Sequence, residues 1–81
     1  MWFEGIINID GNQVYWQAKV YDTGSQYGIN RGRISKLWAS MNSQVIVSYD
    51  RGWDHSPQAN TDANTANIAQ RVLDNLLERF D

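Results

Sequence analysis

The chain has 81 residues, no cysteine, four tryptophans and a formal net charge of −2. That length is one domain, and the lack of cysteine excludes disulfides and cysteine-held metal centres, which fits a reducing cytoplasm. The mild negative charge argues against broad binding to nucleic acid or anionic membrane, no apolar run nears the ~20 residues that span a bilayer, and the N-terminus lacks a signal-peptide pattern.

The first segment, WFEGIINIDGNQVYWQAKVYD, reads as a β-hairpin. A two-residue turn at Gly11-Asn12 tolerates positive φ. It sets Ile9 opposite Val14, Ile7 opposite Trp16, Gly5 opposite Ala18 and Phe3 opposite Val20. By the period-2 rule these share one face. The other face then pairs Glu4 with Lys19 and Trp2 with Tyr21, an opposite-charge pair and an aromatic pair. Gly5 beside Ala18 leaves room for a helix to approach.

Residues 23–32, TGSQYGINRG, carry too many glycines and small polar residues for a strand or a helix. They predict a long loop, and long loops in compact domains are often functional. RISKLWASM and QVIVSYD then predict a second hairpin around Asn42-Ser43. Its faces are ambiguous. Trp38, Val45, Val47 and Tyr49 share one side, Leu37, Ala39, Met41 and Ile46 the other, and both sides are apolar enough to be buried. RGWDHSPQ breaks the strand pattern, because Pro57 cannot sit in a central strand. Helix-start chemistry follows, with Asn60 or Thr61 as the cap. Ile68, Ala69, Val72, Leu73, Leu76 and Phe80 then recur at helical spacing, in a helix expected to run to the C-terminus.

The predicted fold is α+β: a four-stranded antiparallel sheet in β-β-β-β-α order, with one C-terminal helix across one face. The single domain spans residues 1–81. Its uncovered face carries Trp2, Ile6, Tyr15 and Tyr21 and one apolar set from the second hairpin. An exposed apolar area of that size marks an interface, and for so thin a core a homodimer is the first expectation.

Candidate binding residues cluster in two stretches, SQYGINRGRISK and SYDRGWDHSP. Arg31, Arg33, Lys36 and Arg51 converge if the ends of the second hairpin lie side by side. Guanidinium groups beside exposed backbone amides suit a phosphate or carboxylate, and Tyr27 or Trp53 could stack on such a ligand. Arg51 is expected to be held by Asp22, Asp50 or Asp54, with Trp53 turned into the core. Asp50, Asp54 and His55 hold the elements of acid–base chemistry, but one histidine without a second partner is a weak catalytic or metal set. GINRG lacks the spacing and the following helix of a nucleotide fingerprint.

WFEGII, KVYDTGSQYGINRGRISKL and YDRGWD together resemble a group of short uncharacterised proteins of Gram-positive bacteria and their phages, a domain of unknown function. The resemblance covers most of the first 54 residues and carries over no functional residue. It implies a small intracellular, prophage-encoded protein that acts by binding. The expectation is therefore a non-enzymatic binding protein with no catalytic residue, metal or cofactor. Its contacts would be the aromatic sheet face and a rim of Tyr27, Arg31, Arg33, Arg51, Trp53 and His55. Its partner would be a second copy or a host protein. The alternative is a binder or sequestering protein for a phosphate-bearing small molecule or single-stranded nucleic acid, the nucleic acid being disfavoured by the overall acidity.

Overall fold

The computed structural model describes residues 1–80. It contains strands β1 (Trp2–Ile9), β2 (Asn12–Val20), β3 (Ile34–Met41), β4 (Gln44–Asp50) and β5 (Trp53–His55), followed by helix α1 (Ala63–Phe80). The strands form one antiparallel meander in the order β1-β2-β3-β4-β5. The α+β class and the single C-terminal helix agree with the sequence reading. The sheet has five strands rather than four. Arg51, at a φ of 56°, turns the chain back on itself, and the Asp50 amide donates to the Gly52 carbonyl at 2.9 Å. That tight return leaves three residues to form an edge strand before Pro57.

The first hairpin turns at Asp10-Gly11, both at positive φ (51° and 84°), as a type I′ turn requires. The register is therefore two residues away from the one expected. Gly5 faces Trp16, Phe3 faces Ala18, Glu4 faces Gln17 and Trp2 faces Lys19. A shift of two preserves the faces, so Val14, Trp16, Ala18 and Val20 are buried as predicted. Gly5 serves the Trp16 indole rather than the helix. A Cβ there would lie 3.1 Å from Trp16 Nε1.

The second hairpin turns at Asn42-Ser43, again with two positive φ values. Its ambiguous faces are resolved by a bulge. Ala39 pairs with Val47 and Ser40 with Val45, which leaves Ile46 unpaired between them. Ile46 and Val47 are consecutive and both fully buried, which a regular strand cannot achieve. Leu37, Ala39, Val47 and Tyr49 thus face the core, while Trp38 faces out.

Helix α1 packs against β1, β3 and β4. It buries Ile68, Ala69, Val72, Leu73, Leu76 and Phe80, the predicted stripe. Its expected run to the C-terminus falls, at the last residue, outside the described residues. The cap is Asp62 rather than Asn60 or Thr61. The Asp62 carboxylate accepts from the Thr65 amide at 2.9 Å and the Thr65 hydroxyl at 2.8 Å. Both bonds hold the Asp62 carboxyl below its ordinary pKa. Arg71 pairs with Asp10, tying the helix to the first hairpin's turn. That bond and the guanidinium charge lower the Asp10 pKa as well.

Asn60 has a different role. Its amide nitrogen donates to the carbonyls of Ile46 and Pro57, each at 2.9 Å, and its oxygen lies 2.9 Å from His55 Nε2. Because the nitrogen faces two carbonyls, the oxygen must face the histidine, whose Nε2 therefore carries the proton. One side chain thus satisfies the bulge carbonyl and ties it to β5 and to the short 3-10 turn at Pro57–Ala59. Among the described residues, no helix is long and apolar enough to cross a membrane.

Candidate functional site

The loop of residues 23–32 folds tightly on itself. The Ser25 amide donates to Gly32 O, and the Gly28 amide to Ser25 O. A Cβ on Gly28 would fall 1.9 Å from Gly32 O, so only glycine allows this closure. Ile29 plugs the loop into the core. The buried Tyr49 donates its hydroxyl to the Tyr27 carbonyl at 2.7 Å, fixing the loop to the sheet. The loop is thereby held beside the outer ends of β2 and β3 and the β4–β5 turn.

At that junction lies a cleft of about 240 Å³. Lys19 from β2, Lys36 from β3 and Arg51 from the β4–β5 turn supply its cations. Tyr21 and Tyr27 contribute aromatic walls, and Ser25 and Ser35 hydroxyls complete the lining. Ser35 sets the geometry. The ladder passes from Lys19–Lys36 to Val20–Ile34, leaving Ser35 in the gap. Its hydroxyl donates to the Lys19 carbonyl at 3.4 Å, and its carbonyl accepts from the Arg51 amide at 2.9 Å. All three cation-bearing segments meet at this one residue.

The electrostatics are unbalanced. Lys19 and Lys36 stand directly opposite each other on neighbouring strands, where like charges oppose pairing. A single Asp50 oxygen serves both Lys36 Nζ, at 3.7 Å, and Arg51 Nε, at 3.4 Å. Lys19 rests over the Tyr21 ring, 5.4 Å from its centroid, and no carboxylate among the described residues pairs with it. Lys36 and Arg51 share one carboxylate and Lys19 has none among the described residues, so positive charge outweighs negative in the cleft.

Of the six residues picked from sequence, Tyr27 and Arg51 line this cleft and the other four do not. Arg51 is held by Asp50, as expected. Arg33 donates from Nε to the Tyr21 carbonyl at 2.8 Å and closes the base of the loop. Arg31 is exposed on the loop's left-handed turn, at a φ of 58°. His55 is engaged by Asn60. Trp53 does not turn inward. It stays 45% exposed, edge-on to Tyr49 with ring centroids 5.0 Å apart. The edge strand is too short to fold it under the sheet. Lys19, Tyr21, Ser25 and Ser35 were missed. Lys19 was paired with Glu4 by the misplaced turn; the Asp10-Gly11 dipeptide, the stronger type I′ signal, would have moved it opposite Trp2.

The uncovered face of the sheet continues from the cleft. Its rows run Trp2–Lys19–Lys36–Asp50, then Glu4–Gln17–Trp38–Ser48, then Ile6–Tyr15–Ser40–Val45. Trp2, Ile6, Tyr15, Trp38 and Val45 are all exposed along it.

The site is thus a cationic cleft at one end of an aromatic sheet face, in a five-stranded meander backed by one helix. The chain belongs to a family described as a domain of unknown function (DUF7678), which matches residues 1–81. Neither a curated protein nor a solved structure matches it.

Proposed function

We propose that the protein is a small non-enzymatic binding module that takes a phosphate-bearing anion between Lys19, Lys36 and Arg51. The observation that carries this reading is the directly opposed Lys19–Lys36 pair beside Arg51, where Asp50 serves Lys36 and Arg51 and no carboxylate among the described residues pairs with Lys19. A bound phosphate removes the repulsion and accepts charge-assisted bonds from all three cations. The Ser25 hydroxyl accepts from the Tyr27 amide at 3.2 Å and keeps its proton for the ligand. The resemblance to short proteins of Gram-positive bacteria and their phages fits a cytoplasmic protein that sequesters its ligand. Isothermal titration with inorganic pyrophosphate tests the reading. Binding should weaken about tenfold or more in each of Lys19→Gln and Lys36→Gln, as the loss of one charge-assisted bond implies. Absence of binding, or binding indifferent to both substitutions, would sink it.

A second reading concerns the far end of the same face. Ile6 is 51% and Tyr15 58% exposed, side by side across the first hairpin. That apolar row suits contact with a second copy of the chain. Sedimentation velocity on wild type and Tyr15→Ser decides it. A dimer lost on substitution supports the reading, and a monomer at every concentration removes it.

A further inference from the structure

The cleft does not end at its cations. Lys36 also lines a second depression of about 220 Å³ on the uncovered sheet face, bounded by Trp2, Gln17, Trp38, Ser48, Asp50 and Asp54. The two hollows are therefore neighbours that share Lys36. Trp2 stands directly across the ladder from Lys19. Trp38 lies two residues along β3 from Lys36, a step of ~6.6 Å in an extended strand. Trp38 is 40% exposed although it is a large indole in a central strand.

We infer that the ligand is a nucleoside phosphate, with its phosphates in the Lys19/Lys36/Arg51 cleft and its base on the indole of Trp38 or Trp2. This rests on the anion-binding reading and adds the aromatic half of the ligand. The chemistry of each hollow matches its part. The cleft offers cations and the Ser25 hydroxyl for phosphate oxygens. The depression offers flat apolar rings for a base face, with the Gln17 amide, the Ser48 hydroxyl and the Asp54 carboxylate around them for polar base edges. The acids explain the selectivity expected. Glu4 stands between Trp2 and Ile6 on β1, and Asp54 borders the depression. A polyanionic strand laid along the face would meet both, whereas a single nucleotide places its charge only at the basic end.

The test compares three probes by isothermal titration and by the indole N–H resonances of the wild-type protein: inorganic pyrophosphate, adenosine diphosphate and an oligothymidylate. Adenosine diphosphate should bind about tenfold or more tightly than pyrophosphate, the gain expected of one stacked base. Of Trp38→Ala and Trp2→Ala, the one that removes the stacking indole should abolish that advantage, and both should leave pyrophosphate binding unchanged; an advantage kept in both variants overturns the nucleoside assignment. In wild type, adenosine diphosphate should shift the Trp38 or Trp2 indole resonance and leave that of the buried Trp16 in place. The indole reading stands even if Trp38→Ala fails to fold. Equal affinity for pyrophosphate and adenosine diphosphate, with every indole unmoved, overturns the nucleoside assignment and leaves the anion site standing. No binding of any probe overturns both. Tighter binding of the oligothymidylate than of the nucleotide assigns the face to a nucleic-acid strand. A dimer that hides Trp38 from adenosine diphosphate assigns it to a second copy. Either result overturns the proposal.

Discussion

Asn60→Ala should be among the most damaging polar substitutions in the chain. The side chain makes three bonds at 2.9 Å, to His55 Nε2 and to the carbonyls of Ile46 and Pro57. Ile46 is the unpaired residue of the β4 bulge and is 1% exposed, so water is poorly placed to replace the amide. An unsatisfied buried group costs ~1–3 kcal/mol, which in a domain of this size lowers the melting temperature by roughly 5–20 °C. Thermal unfolding followed by far-ultraviolet circular dichroism reads the shift. Asn60→Asp sharpens the test. It keeps an acceptor for His55 but cannot donate, so it should be as destabilising as alanine if the bulge carbonyl is what matters. His55→Ala removes only one of the three bonds and should cost less, ~0.5–1.5 kcal/mol. A melting temperature unchanged in Asn60→Ala, or a larger loss in His55→Ala than in Asn60→Ala, would refute the reasoning.

Three further predictions concern the core and its ties. Leu76→Ala should cost ~2–5 kcal/mol, since Leu76 is fully buried under the sheet; an unchanged urea midpoint would mean the helix face is wrong. Gly5→Ala should cost ~1–3 kcal/mol by overpacking, because the new methyl meets the Trp16 indole at 3.1 Å and that indole, buried and packed on Phe80, has little room to retreat, and the near-ultraviolet signal of Trp16 should change with it. Stability should fall as the solution is acidified through the lowered carboxyl values of Asp10 and Asp62. Both are depressed in the fold, so their contribution is fully present above the unfolded value near ~3.9 and lost below it. Asp62→Asn, which still accepts from the Thr65 amide but does not titrate, should flatten part of that acid limb.

The faces of the first hairpin and of the helix were legible because periodicity alone determines them. Moving the turn from Gly11-Asn12 to Asp10-Gly11 slides the strands by two residues and leaves every side chain on its own face. The same slip hid the site, since it gave Lys19 the partner Glu4 and concealed that Lys19 and Lys36 stand opposed. The second hairpin could not be read from periodicity at all. Ile46 is the extra residue of a bulge, and a bulge burying two consecutive apolar residues looks in sequence like a strand with two apolar faces. β5 escaped because three residues before a proline carry no alternation to detect. Asn60 has the residue type of a helix cap, and only the folded chain brings the Ile46 carbonyl and His55 to it. Arg51 was legible as part of the site because the hairpin ends necessarily lie together, whereas Arg31 and Arg33 are carried off by the internal closure of their loop.

The central claim is that the junction of the loop, β2, β3 and the β4–β5 turn binds an anion. A ¹H–¹⁵N chemical-shift map of the protein titrated with inorganic pyrophosphate tests it most directly, because it reports location as well as binding. Saturable shifts concentrated at the amides of Ser25, Tyr27, Ser35, Lys36 and Arg51, with α1 unmoved, are the predicted result. Shifts absent at saturating pyrophosphate, or centred on Arg31 and Arg79 instead, would contradict it.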